Sequence, residues 1–180
     1  MTKSRVAIMA TAAFVTTLAA AVSVRAGSDR IAFPNDYAKG VIYKTEDRAE
    51  NKQVRELFIT REAVEAVRRG APLPSGTVIT SVRYAPQLDA EGNPVKDANG
   101  RFIKTDKILG YTVKEKRAGW GAEYPEEKRN GEWEYRVFRA DRTANPDTNY
   151  YTCFGCHKSQ ASQEYMFTFD SLKATKAASR

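Results

Sequence analysis

The sequence predicts an α+β, β-rich fold, a small antiparallel sheet with short helices and a C-x-x-C-H segment near its C-terminal end. Residues 77–84, 108–116 and 133–139 alternate in the way a half-buried strand does, and residues 54–59 (VRELFI) are a further strand candidate. Only the short run 61–69, with Ala63, Val64 and Val67, has apolar residues at helical spacing. The 154 residues left after a predicted 26-residue leader suffice for one core but not two, so residues 27–180 are expected to form a single domain.

Residues 27–52 are polar, with Phe33, Tyr37, Val41, Ile42 and Tyr43 as scattered apolar anchors, and Phe33-Pro34 reads as an entry turn. The strand at 54–59 (VRELFI) leads to Thr60, in position to cap the helix over 61–69, and Gly70 ends that helix. A Pro- and Gly-rich loop over 71–76 precedes the next strand, in which Val78, Val82 and Tyr84 alternate with Ser81 and Arg83. Residues 85–106 carry Glu91-Gly92-Asn93-Pro94 and Ala98-Asn99-Gly100, and read as an exposed hairpin or insertion. Two strands follow, 108–116 and 133–139, joined through a connection containing Trp120 and Tyr124. A polar loop over 140–151 turns at Asn145-Pro146-Asp147, and a short helix over 158–164 is expected beyond His157. Residues 165–169 then pack back ahead of a Lys- and Ala-rich tail.

Residues 1–26 have the anatomy of a secretory signal peptide: Lys3 and Arg5, an apolar run, then Val24-Arg25-Ala26 as a cleavage site. An uncleaved anchor is the alternative, but the run is rich in Ala and Thr and only weakly apolar. Cleavage near Ala26 implies a periplasmic protein with no stable membrane insertion. Three positive charges leave with the leader, so the formal net charge falls from +7 to +4. The remaining Lys and Arg are interleaved with Glu and Asp, a solvated surface rather than a nucleic-acid-binding one.

The chemistry is concentrated in Cys153-Phe154-Gly155-Cys156-His157, which uses the chain's two Cys and its one His. Two thiols at this spacing reach the two vinyl groups of a porphyrin as thioethers, and the adjacent imidazole coordinates the iron, so the segment reads as the attachment site of one covalent haem c. Cys153, Cys156 and His157 are the cofactor-binding residues on this reading, with His157 the metal ligand. A thioredoxin-like dithiol would lie in an early βαβ unit, and a zinc site would lack further Cys or His ligands. An exported binding module with a Cys153–Cys156 disulfide is a third reading.

The supply of sixth ligands is thin. Met1 and Met9 leave with the leader, and Met166 stands nine residues beyond His157. Met166 beside Phe167 and Phe169 is expected in the core, leaving an open distal site that binds small molecules. With Met166 or a Lys closing the site, the protein would instead be a six-coordinate electron carrier.

Several segments stand in a telling order: Phe33-Pro34-Asn35-Asp36-Tyr37, Val54-Arg55-Glu56-Leu57-Phe58-Ile59, Ser75-Gly76-Thr77-Val78, Gly131-Glu132-Trp133-Glu134-Tyr135-Arg136-Val137-Phe138, and the haem motif followed by Met166-Phe167-Thr168. In that order they resemble the cytochrome P-460 family, which includes the cytochromes c′-beta. The resemblance implies a small antiparallel β-rich domain, commonly a homodimer, with a five-coordinate haem and His157 as proximal ligand. Members with a lysine cross-linked to the porphyrin oxidise hydroxylamine, whereas the c′-beta type binds nitric oxide and carbon monoxide. By resemblance Arg55 occupies a distal polar position, where its guanidinium would donate to a bound oxygen or nitrogen atom; an exposed strand Arg in a surface ion pair is the alternative. Asp147 is the candidate for proton transfer. Where the cross-linking lysine should fall, this chain has Ser81, and Lys96, Lys104 and Lys107 lie in or near the insertion. The expected ligand is therefore nitric oxide or a related small nitrogen oxide, with a redox partner protein, and only poor hydroxylamine oxidation is expected.

Overall fold

The structure is a computed structural model that describes residues 30–122 and 124–175; the predicted signal peptide and the last five residues of the tail lie outside them. Five strands, β1 (Val41–Arg48), β2 (Gln53–Ile59), β3 (Val78–Pro86), β4 (Lys104–Lys116) and β5 (Trp133–Phe138), form one sheet in sequence order. Every neighbouring pair is antiparallel. Three helices accompany it: α1 (Arg61–Arg68), α2 (Tyr150–Lys158) and α3 (Phe169–Lys173). This is the predicted α+β, β-rich architecture. Among the described residues no helix is long and apolar enough to cross a membrane.

The period of two along each strand sorts the apolar side chains into two clusters, one per face. Leu57, Ile59, Ile79, Trp133 and Tyr135 pack with Ala63 and Val64 of α1, Phe154 of α2, Leu172 of α3 and Met166. On the other face Phe58, Val82, Tyr111, Val113 and Phe138 pack with Ile31 and Trp120, and Phe33 sets its ring edge-on to Tyr111 at 4.8 Å between centroids. The first face carries the helices and hence the cysteine motif.

Three local differences from the sequence reading have clear causes. β1 was not expected as a strand: it is an edge strand with a bulge between Ile42 and Lys44, and Tyr43 is its one buried residue. Thr60 does precede α1, but its hydroxyl makes no capping bond; its carbonyl accepts from the backbone N–H of Ala63 and Val64 instead. No α-helix spans 158–164. The chain makes a 3-10 turn at Ala161–Gln163, and Glu164 and Tyr165 both adopt φ near +54°, which reverses its direction.

The insertion is tied down rather than loose. Arg101 makes a two-pronged contact to the Asp47 carboxylate of β1, Nε at 2.8 Å and Nη2 at 3.1 Å, and this holds the Asp47 carboxyl below its ordinary range. The pair lies at the surface with Arg101 45% and Asp47 18% exposed, so it fixes position more than it adds stability. On β4, Gly110 adopts φ +143°, and a Cβ there would collide with the Arg83 guanidinium and stand 2.8 Å from the Phe138 carbonyl. The missing side chain makes room for Arg83 beside its cross-strand neighbour Arg55.

Candidate functional site

Asn149 starts α2 by accepting a hydrogen bond from the backbone N–H of Tyr151 at 3.1 Å. The helix carries the whole Cys153-to-His157 segment, so Cys153 and His157, four apart, share a face, with Cys156 one turn from Cys153. No disulfide joins the two thiols: both are free, Cys156 exposed and Cys153 partly buried. Burial pushes the Cys153 thiol up from its ordinary range.

His157 faces a cavity of about 230 Å³ between the helix side and the sheet. Tyr135, Met166, Phe167, Leu57, Ile79, Ser81, Thr112, Lys114 and Arg55 also line it. A larger cavity of about 310 Å³, bounded by Tyr37, Phe58 and Arg61, holds neither a Cys nor a His. The smaller cavity is the chemically relevant one because it contains the imidazole.

The imidazole is held on three sides. Its Nδ1 lies 2.8 Å from the Tyr165 carbonyl, and since a carbonyl only accepts, Nδ1 carries the proton and Nε2 keeps its lone pair. Tyr135 tilts against the ring at 4.9 Å between centroids, and Phe167 meets it edge-on at 5.2 Å. Burial, and then the neighbouring Lys114, push its pKa down to about 4. At neutral pH His157 therefore stands uncharged, the form that ligates a metal.

Arg55 projects from β2 into the cavity wall and is half-buried, with Glu46 3.8 Å away as a loose partner. Burial pulls its pKa down. Ser81 lines the same cavity, flanked across the sheet by Leu57 and Thr112. Asp147 is not brought there: its carboxylate is 83% exposed and pairs with Arg139 at 3.6 Å. Met166 is 2% exposed and belongs to the core cluster with Leu172 and Phe154, while also bordering the cavity. Replacing it with leucine, which conserves volume, should cost under about 1.5 kcal/mol in denaturant unfolding and leave the spin state of a bound haem unchanged. A change from low to high spin would instead identify it as an iron ligand.

Sequence reasoning passed over Lys114. It lies on β4 where alternation reads as a solvent position, yet it is 6% exposed and lines the cavity. Burial drives its pKa well below the usual lysine range. The signal available was its spacing: Thr112 and Lys114 share the sheet face of Ser81 and Ile79, their cross-strand partners.

The family model described as Cytochrome P460 matches residues 34–168, from the entry turn through the segment after the haem motif. The chain belongs to the cytochrome P460 family. No curated protein matches it significantly. Membership makes this P460 chain a c-type haem protein whose cofactor is covalently attached haem c. The residues present fit that group: two free thiols on one helix, an imidazole with its Nδ1 anchored and Nε2 available, and an aromatic-walled cavity. Among the described residues no three His, Cys, Asp or Glu side chains converge to hold a bare metal ion.

Proposed function

We propose that this P460 protein is an exported, periplasmic mono-haem cytochrome, with Cys153 and Cys156 as thioether anchors and His157 as proximal ligand, that binds or redox-processes small nitrogen oxides, nitric oxide first. The observation that carries the reading is the His157 imidazole, neutral and anchored through Nδ1 to Tyr165 inside a cavity that also receives Arg55. When bound, haem supplies an iron with an open position for a small diatomic ligand.

The chain's own residues do the rest. The Tyr165 carbonyl, Tyr135 and Phe167 fix the plane and tautomer of the imidazole. Arg55 offers N–H donors from the sheet; its Nε is buried and unpartnered, a group that a ligand atom would satisfy. Arg55→Gln should speed nitric oxide release about tenfold, equivalent to losing about 1.4 kcal/mol of a charge-assisted hydrogen bond. Stopped-flow trapping of the released gas measures it, and an unchanged rate would return Arg55 to a surface role.

Ser81 cannot form an amine bond to a porphyrin carbon. The protein is accordingly proposed as a poor hydroxylamine oxidase that works with a redox partner protein and, by family resemblance, as a homodimer. Titrating the reduced protein with nitric oxide tests the proposal: a one-to-one spectral change is expected, and a six-coordinate spectrum indifferent to the gas would favour the plain electron carrier.

A further inference from the structure

We propose that Lys114 tunes His157 by sharing its hydrogen-bond acceptor, the Tyr165 carbonyl, and thereby raises the reduction potential of the haem. The inference rests on the reading of His157 as the iron ligand. Two donors meet at one oxygen: His157 Nδ1 at 2.8 Å and Lys114 Nζ at 2.5 Å. Lys114 also reaches the Glu164 carbonyl at 3.1 Å, and its Nζ sits 4.0 Å over the Trp133 ring, so the side chain is held from two directions.

A backbone carbonyl has two lone pairs, but one already engaged by a short bond is a weaker acceptor for the second donor, and the effect is large where little water screens it. The partner of the distant ring nitrogen sets the basicity of a ligating histidine: a strong acceptor enriches the imidazole in electron density, a weakened one depletes it. A depleted imidazole stabilises oxidised iron less, so the potential rises. The donor end of Lys114 beside the ring acts in the same direction. No group in the haem motif reveals this control, because it comes from β4, where Lys114 pairs with Ile79 on one side and Tyr135 on the other.

A purely structural role makes a different prediction. Glu164 and Tyr165 both adopt φ near +54°, an uncommon conformation for non-glycine residues, and Lys114 could simply staple that turn. Lys114→Met and Lys114→Gln in the full holoprotein separate the two roles. The first removes the donor; the second keeps a neutral one. Tuning predicts a lower reduction potential and an iron–histidine stretch at higher frequency in Lys114→Met, with Lys114→Gln between it and wild type. A less stable Lys114→Met protein with unchanged potential and stretch would overturn the proposal and leave only the staple. Should neither variant yield holoprotein, proton NMR of the reduced, carbon-monoxide-bound wild type decides. Cross-relaxation between the Lys114 ζ protons and the His157 Nδ1 proton is expected, and its absence would overturn the shared acceptor. Failure of the underlying haem reading looks different, since wild type would then show no haem bands at all.

Discussion

Replacing His157 with alanine will yield a chain that still carries haem through Cys153 and Cys156 but has lost the normal absorption spectrum. The reasoning is one of supply. His157 is the only His of the chain, and its Nδ1 bond to Tyr165 leaves one lone-pair nitrogen for the iron. Removing the ring also opens a gap between Tyr135 and Phe167, which contact it on two sides. Added imidazole should enter that gap and restore much of the spectrum, showing that the loss comes from coordination rather than misfolding. A His157→Ala spectrum identical to wild type would remove His157 from the iron.

Trp133→Ala will cost about 3–5 kcal/mol, the range for deleting a large buried aromatic side chain. Trp133 is 1% exposed at the start of β5, lies in the cluster that joins the sheet to α1, α2 and α3, and carries Lys114 on its face. The mutation therefore removes core volume and the platform beneath a buried amine together. Urea unfolding should show a lower midpoint with little change in slope, and a loss under about 1 kcal/mol would mean that the site collapses around the missing ring.

Strands β2 to β5 were legible because their apolar side chains are dealt alternately to two faces, Leu57 and Ile59 to one and Phe58 to the other, or Trp133 and Tyr135 to one and Phe138 to the other. β1 was not, since an edge strand with one buried side chain leaves no period to read. α2 escaped for a related reason: Cys153 and His157 share one of its faces, so no apolar stripe marks the helix. A covalent haem c could be read directly from the C-x-x-C-H spacing, and the family match agrees with it. Lys114 could not, since burial of a lysine depends on what covers both faces of β4. Met166 was read as a core residue and lies in the core.

The central proposal is that a single haem c is covalently attached through Cys153 and Cys156 and through no other side chain. Mass mapping of the proteolytic peptides of the exported holoprotein tests it most directly. The predicted result is one haem-bearing peptide containing Cys153 and Cys156, with the Lys114 and Lys107 peptides at their unmodified masses and the chain beginning near Gly27. An unmodified Cys153–Cys156 peptide would contradict the haem assignment, and a second peptide joined to haem through Lys114 would contradict the claim that the porphyrin has no lysine cross-link.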